Sequence, residues 1–325
     1  MPKSFVMLCL LIVFGSVFSL AAAQDAPPDD GGGMDVVVGT PQPLPTMSAR
    51  SAPSRVVPGA RATLNLYFQT LAQGTVGLIQ VDGAGVTAAS AAWLGSFIDF
   101  FAVEDSGLYA LLAVGIEQPT RRETPLNVSV AYTDGTREML TAPIEIVLGA
   151  FIRQEVTLAP DKGYLLDSET ERAELARLES IFARATPERG WDARGFMMPI
   201  PAALTSPFGA FRVFNSTLST RHTGWDIRCT TGTPVLASAG GRVIYAGTLP
   251  IRGNHVIIDH GYGVYTGYSH LSVTYVTRGQ QVTREQVIGM TGSTGRTSGP
   301  HFHWEMAVNG EWVDSVQFLR MWLPG

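Results

Sequence analysis

Gly299-Pro300-His301-Phe302-His303-Trp304-Glu305 is the stretch around which the rest of the chain is organised. On a strand, alternation sends His301 and His303 to one face and Phe302 and Trp304 to the other. Two neighbouring imidazoles suit two ligands of one metal ion, or one ligand beside one proton carrier. A short His-x-His motif also fits a strand with two solvated or hydrogen-bonded histidines. Position favours a site: all six histidines of the 325-residue chain fall between His222 and His303.

Two further clusters lie upstream. In His222-Thr223-Gly224-Trp225-Asp226 a separation of four places His222 and Asp226 on one face, whether the backbone is helical or extended. Imidazole with carboxylate suits zinc, although a surface ion pair has the same spacing. Tyr268-Ser269-His270-Leu271 closes an alternating strand, and its single histidine alone reads as structural. Together the clusters offer one acid and several imidazoles. A catalytic zinc needs three protein ligands and an open position, which leaves spare histidines to handle protons.

The three clusters resemble the three motifs of the lysostaphin/LytM-type zinc metalloendopeptidases. The intervening text agrees: Gly232-Thr233-Pro234-Val235, Ala239-Gly240-Gly241-Arg242-Val243, Asp259-His260-Gly261, and Gly289-Met290-Thr291-Gly292-Ser293-Thr294-Gly295. The resemblance covers about residues 195–320 and implies His222, Asp226 and His303 as zinc ligands, with His270 and His301 as the catalytic pair beside them. It further implies a β-sheet fold with zinc in a groove, and cleavage of peptide bonds in the stems and cross-links of bacterial peptidoglycan. None of the five positions is replaced, which separates the chain from relatives that lack ligands and act only as hydrolase activators. A non-catalytic wall binder or activator on the same fold is the competing expectation. A closed structural metal site would need Cys229 or His260 as a fourth ligand.

Other residues read more plainly. His260 is expected to be a satisfied core or turn histidine, His255 exposed or structural, and Cys229 a small buried residue. Asn215-Ser216-Thr217 fits a polar turn or a groove lining equally well. The run from Gly292 to Gly299 has no Gly-Lys-Ser/Thr and reads as a flexible turn beside the site.

The remaining chain sets the frame. Its length admits about two domains and a linker. Gly 35 and Pro 20 point to many turns and short strands, and a net charge of −5 gives no basic footprint for nucleic acid. Lys3, the apolar run Phe5 to Leu20 and Ala21-Ala22-Ala23 predict a signal peptide over 1–23, hence an exported, envelope-located protein, periplasmic or extracellular. The run is too short for a stable membrane span. After its removal Cys229 is the one remaining cysteine, so no internal disulfide is expected. Residues 24–50 read as a Pro/Gly/Asp-rich spacer.

An all-β protein of two domains follows. Leu64, Leu66 and Phe68, then Leu126, Val128, Val130 and Tyr132 before Asp134-Gly135, then Ile144, Ile146 and Leu148, predict an immunoglobulin-like β-sandwich over 51–155. It carries no visible chemistry and is the candidate surface for a cell-envelope protein partner. A linker over 156–194 holds a helix: Ser168 and Glu171 make a capping box, and Leu175, Leu178, Ile181 and Phe182 recur at helical spacing as a packing face between domains. Residues 195–325 form the all-β metallopeptidase domain, with strands near 234–237, 242–246, 256–258, 264–268 and 287–290.

Overall fold

Alternating residues of the first region pair into strands whose inward side chains form one apolar core. The structure is a computed structural model describing residues 48–104 and 106–324; the predicted signal peptide and all but residues 48–50 of the spacer lie outside the described residues. Two five-stranded sheets face one another, and Leu64, Leu66, Ile79 and Leu112 of one meet Ala91, Leu126, Val128 and Ile144 of the other. The longest hairpin pairs Arg121–Tyr132 with Arg137–Val147 around Asp134-Gly135. Phe68 lies just beyond its strand, Ala62–Leu66, and is only partly buried, while Leu148 is exposed.

Strands Val76–Gly83 and Gly107–Ala113 are buried on both faces. Ile79, Val81 and Leu112 serve the core just described, whereas Val76, Leu78, Tyr109 and Leu111 join Trp191, Phe196 and Phe318 in the core of the C-terminal region. One sheet is therefore a middle layer. This is why Leu108-Tyr109-Ala110-Leu111-Leu112-Ala113 reads as a continuous apolar run and not as an alternation.

The C-terminal region is built on a ten-stranded sheet with most strands antiparallel neighbours. Phe302–Val308 lies between Gly224–Ile227 on one side and Val264–Thr274 on the other. Its alternation is as expected: Phe302 and Trp304 are fully buried in the core opposite the histidine face. A separate three-stranded sheet joins Arg153–Val156, in parallel, to the hairpin Phe211–Phe214 and Leu218–Arg221.

Two α-helices are present among the described residues, α1 (Ser168–Phe182) and α2 (Ser315–Arg320). The cap of α1 is Asp167, whose carboxylate accepts from the Thr170 amide at 2.8 Å, so Ser168 is the first helical residue and the expected Ser168–Glu171 capping box is not formed; Glu171 binds Thr220 and Arg296 instead. The apolar stripe of α1 corrects a second expectation. Leu178 and Phe182 pack against Leu249, Ile257, Tyr265 and Ala307 of the C-terminal sheet, not against the sandwich. That sheet leaves an apolar patch on its outer side, and the helix covers it.

Candidate metal centre

Three adjacent strands assemble the site. Asp226 is the register partner of His303, and His303 in turn pairs with Ser269, the residue before His270. His222 stands in the turn between Leu218–Arg221 and Gly224–Ile227. The strands approach closely at Gly224, where a Cβ would lie 2.3 Å from the Trp304 carbonyl oxygen. His301 sits one residue before its strand and bridges to Gly292. His270 has φ of +59°, a left-handed conformation that is uncommon for a residue with a side chain and places it at an irregularity of the sheet.

The structure brings all five sequence-predicted residues together. His222 Nε2 lies 3.1 Å from Asp226 Oδ1 and 2.9 Å from His303 Nδ1, and His303 Nδ1 lies 3.1 Å from the same carboxylate oxygen. His301 Nε2 is 3.6 Å from Asp226 Oδ1, and the His270 and His301 rings are 4.8 Å apart. All five side chains are buried.

Hydrogen bonds to carbonyls assign the tautomers, because a carbonyl can only accept. His222 Nδ1–H donates to the Pro207 carbonyl at 2.7 Å, His270 Nδ1–H to Thr294 at 2.7 Å, and His301 Nδ1–H to Gly299 at 3.0 Å. In the neutral form each therefore turns an unprotonated Nε2 inward. His222 Nε2 and Asp226 Oδ1 then face each other as two acceptors with no proton between them, which is repulsive unless a cation lies there. The donor set of two imidazole nitrogens and one carboxylate oxygen fits a zinc-like metal with three protein ligands.

Charge states favour the same use. Burial, reinforced by Arg212, pushes the His222 imidazole down to about 3. Burial also lowers His270 and His301 below the usual imidazole range, with nearby histidines adding to the shift at His270. For Asp226 burial acts upward but is outweighed by Arg212 and the neighbouring histidines, which hold the carboxyl well below its ordinary value. His303 moves the other way: burial lowers it, yet Asp226 and Glu305 together raise it.

Several residues of the site carried no signal in the sequence. The Arg212 guanidinium binds Asp226 Oδ2, leaving Oδ1 to the two histidines. Glu171 of α1 pairs with Arg296 and accepts from Thr220 at 2.6 Å, so α1 lies across the groove. Glu171, Leu175, Arg212, His222, His270 and His303 help line a cavity of about 50 Å³. Lys162, in the 3-10 helix Pro160–Leu166 before α1, donates to the Thr297 carbonyl at 2.9 Å.

The plainer residues also found their places. His260 is fully buried between the Gly240 carbonyl and the Thr266 hydroxyl, each at 2.7 Å. His255 is buried, not exposed, with Nδ1 3.1 Å from the Ser269 hydroxyl. Asn215 and Ser216 both have positive φ and close the hairpin before the first cluster, while the Asn215 carboxamide holds the Leu158 amide at 2.9 Å. They form a turn. Cys229 is half-buried, and neither it nor His260 joins the His222, Asp226 and His303 cluster.

The profile of Peptidase family M23 matches residues 220–315, the segment that carries all five residues. The C-terminal domain belongs to this family. The M23 domain is 44% identical over 96 residues to the peptidoglycan DD-endopeptidase ShyA of Vibrio cholerae, covering 30% of this chain and 22% of that protein. It is 44% identical over 114 residues to the DD-carboxypeptidase/endopeptidase Mpg of Neisseria meningitidis, covering 35% of this chain and 26% of that protein. The matched segment thus spans about a quarter of these relatives. A crystal structure of a peptidase M23 protein from Pseudomonas aeruginosa aligns over 78% of this chain and 96% of its own, at 25% identity and a TM-score of 0.58. That likeness extends beyond the M23 domain into the region that precedes it. No helix among the described residues is long and apolar enough to cross a membrane.

Proposed function

We propose that the protein is an exported, zinc-dependent endopeptidase that hydrolyses peptide bonds of bacterial peptidoglycan. The convergence of His222, Asp226 and His303 on one point, with two further imidazole Nε2 atoms beside it, carries this reading. The relatives named as peptidoglycan endopeptidases support the substrate class. The signal-like first residues support export to the cell envelope. The N-terminal sheets are read as an immunoglobulin-like module that positions the enzyme and offers a surface to an envelope partner.

When bound, zinc supplies Lewis acidity toward water and toward a peptide carbonyl. The chain's own residues do the rest. Arg212 holds one oxygen of Asp226, so that the other stays aimed at the histidines. His270 and His301 face the groove with Nε2 lone pairs, fixed by their Nδ1–H bonds to Thr294 and Gly299. Either can accept a proton from the attacking water and return one to the leaving amine. Because α1 closes the groove to a cavity of about 50 Å³, a peptide substrate requires this helix to shift.

Purified peptidoglycan incubated with the mature protein tests the reading, through turbidity loss and fragment masses beside His301→Ala. Cleavage that chelation abolishes, zinc restores and the variant lacks is the expected outcome. Zinc binding without cleavage by either protein would replace the peptidase with an activator of another hydrolase.

A further inference from the structure

Of the four histidines around Asp226, three are oriented by backbone carbonyls at 2.7–3.0 Å. His303 is the exception. Its Nδ1 faces the metal site, and its Nε2 lies 3.6 Å from Glu305 Oε2, so a side chain, not the backbone, stands behind it. Glu305 is fully buried, in space that Gly267 leaves open: a Cβ there would lie 2.6 Å from Glu305 Cγ. A buried carboxylate needs its own partner. Arg252 provides it with two parallel bonds of 2.8 Å from Nε and Nη2, and Thr223 donates to Oε2 at 3.0 Å.

Arg252 is held in turn from outside the M23 match. Glu174, a buried carboxylate on α1, accepts from Arg252 Nη1 at 3.0 Å, from the Arg252 amide at 3.1 Å and from the Ile251 amide at 2.7 Å. The Arg252 carbonyl accepts from the His270 amide at 2.8 Å, at the residue with the left-handed backbone. One arginine thus touches the supports of a metal ligand and of a proton-handling histidine. Glu174, Arg252 and Glu305 together carry two negative charges and one positive, all buried beside the far edge of His303.

We infer that Glu174 of α1 is a positioning residue for the metal centre, acting through Arg252 on Glu305 and His303 and on the backbone of His270. The inference rests on the reading of His222, Asp226 and His303 as a zinc site. In this arrangement α1 does more than cover the groove: it completes the carboxylate–guanidinium chain that aims His303. Partners that orient metal ligands typically change metal affinity by about 10- to 100-fold when removed. Glu174 stands one link further back than Glu305, so its effect is smaller.

Zinc affinity of the full chain, measured by competition with a chromophoric chelator, tests this without any turnover assay. Glu305→Gln is expected to bind zinc about 10- to 100-fold more weakly, and Glu174→Gln roughly three- to tenfold more weakly, as the more distant link. Asp167→Ala removes the cap of α1 but touches none of these groups, and should bind zinc as the native protein does. Should Glu305→Gln not fold, the Glu174→Gln and Asp167→Ala pair decides alone. Native affinity in Glu174→Gln, or an equal loss in Asp167→Ala, overturns the inference while leaving the zinc site standing. A native protein that holds no zinc overturns both.

Discussion

The two halves of this molecule bury different kinds of atoms. The sandwich core is nearly all aliphatic, and Gln80 and Thr124 are its buried polar side chains among the described residues. The M23 domain, with α1 against it, buries Arg252, Glu174, Glu305, Asp226, Arg296 and all six histidines in polar contacts within a comparable fold of strands. Apolar burial stabilises by roughly 25 cal/mol per Å² and asks for no partner. A buried charge is tolerated only where its partner is in place, and replacing such networks by apolar residues often stabilises proteins. The contrast teaches where the chain gives up stability for chemistry.

The largest effects should therefore divide by half. Under the proposed zinc site His303→Ala removes a ligand, and both zinc binding and wall cleavage should disappear. His301→Ala should keep zinc but slow cleavage by about 10²- to 10⁴-fold, the usual contribution of a proton-transfer group. Equal zinc loss in both variants would erase the division between ligand and proton carrier.

In the sandwich the same scale of free energy should appear only as stability. Leu126 is fully buried, and Leu126→Ala should cost about 2–5 kcal/mol in urea unfolding while zinc affinity stays native. A fall in zinc affinity would mean that the middle-layer sheet transmits strain to the site, and the comparison would break.

Acid should act on the histidine-bearing half. Burial pushes His260 from 6.5 down to about 4 and His255 down to about 3. The unfolded chain then binds more protons than the folded one below pH 6.5, so this stability is present above that pH and is lost as pH falls toward 4. For His260 the loss is on the order of 3 kcal/mol. Melting of the metal-free protein at pH 7 and pH 5 should show the drop, and His260→Gln should reduce it while His255 retains its share. A melting temperature indifferent to pH would count against buried neutral histidines.

The smallest effect concerns the closed groove. Glu171→Gln weakens the contact with Arg296, a charged hydrogen bond worth about 1.5 kcal/mol, or roughly tenfold. Cleavage of soluble wall fragments should rise by up to that factor. Unchanged or lower activity would show that α1 does not limit access.

Much of the site was legible because its signals are local. His222 with Asp226, and His301 with His303, lie within a turn or a strand of one another, so alternation alone puts each pair on one face. The sandwich strands were legible for the same reason, since Leu126, Val128 and Val130 alternate as their burial does. Local signals failed where an element serves two neighbours. The α1 stripe predicted a packing face without saying which surface it meets, and Val76–Gly83 hides its alternation by being buried on both sides.

The sequence by itself determined the residue types, their spacing and the periodicity of the strands, and the motif resemblance supplied the roles proposed for five side chains. Only the tertiary structure decided which nitrogen of each histidine turns inward, that Arg212 restrains Asp226, and that Glu174 reaches Arg252. The Arg212–Asp226 contact spans 14 positions, that of Asp226 with His303 spans 77, and that of Glu174 with Arg252 spans 78. Contacts at that separation depend on strand register and on where a helix docks. Both are set by burial summed over the whole sheet, which no short stretch of sequence contains.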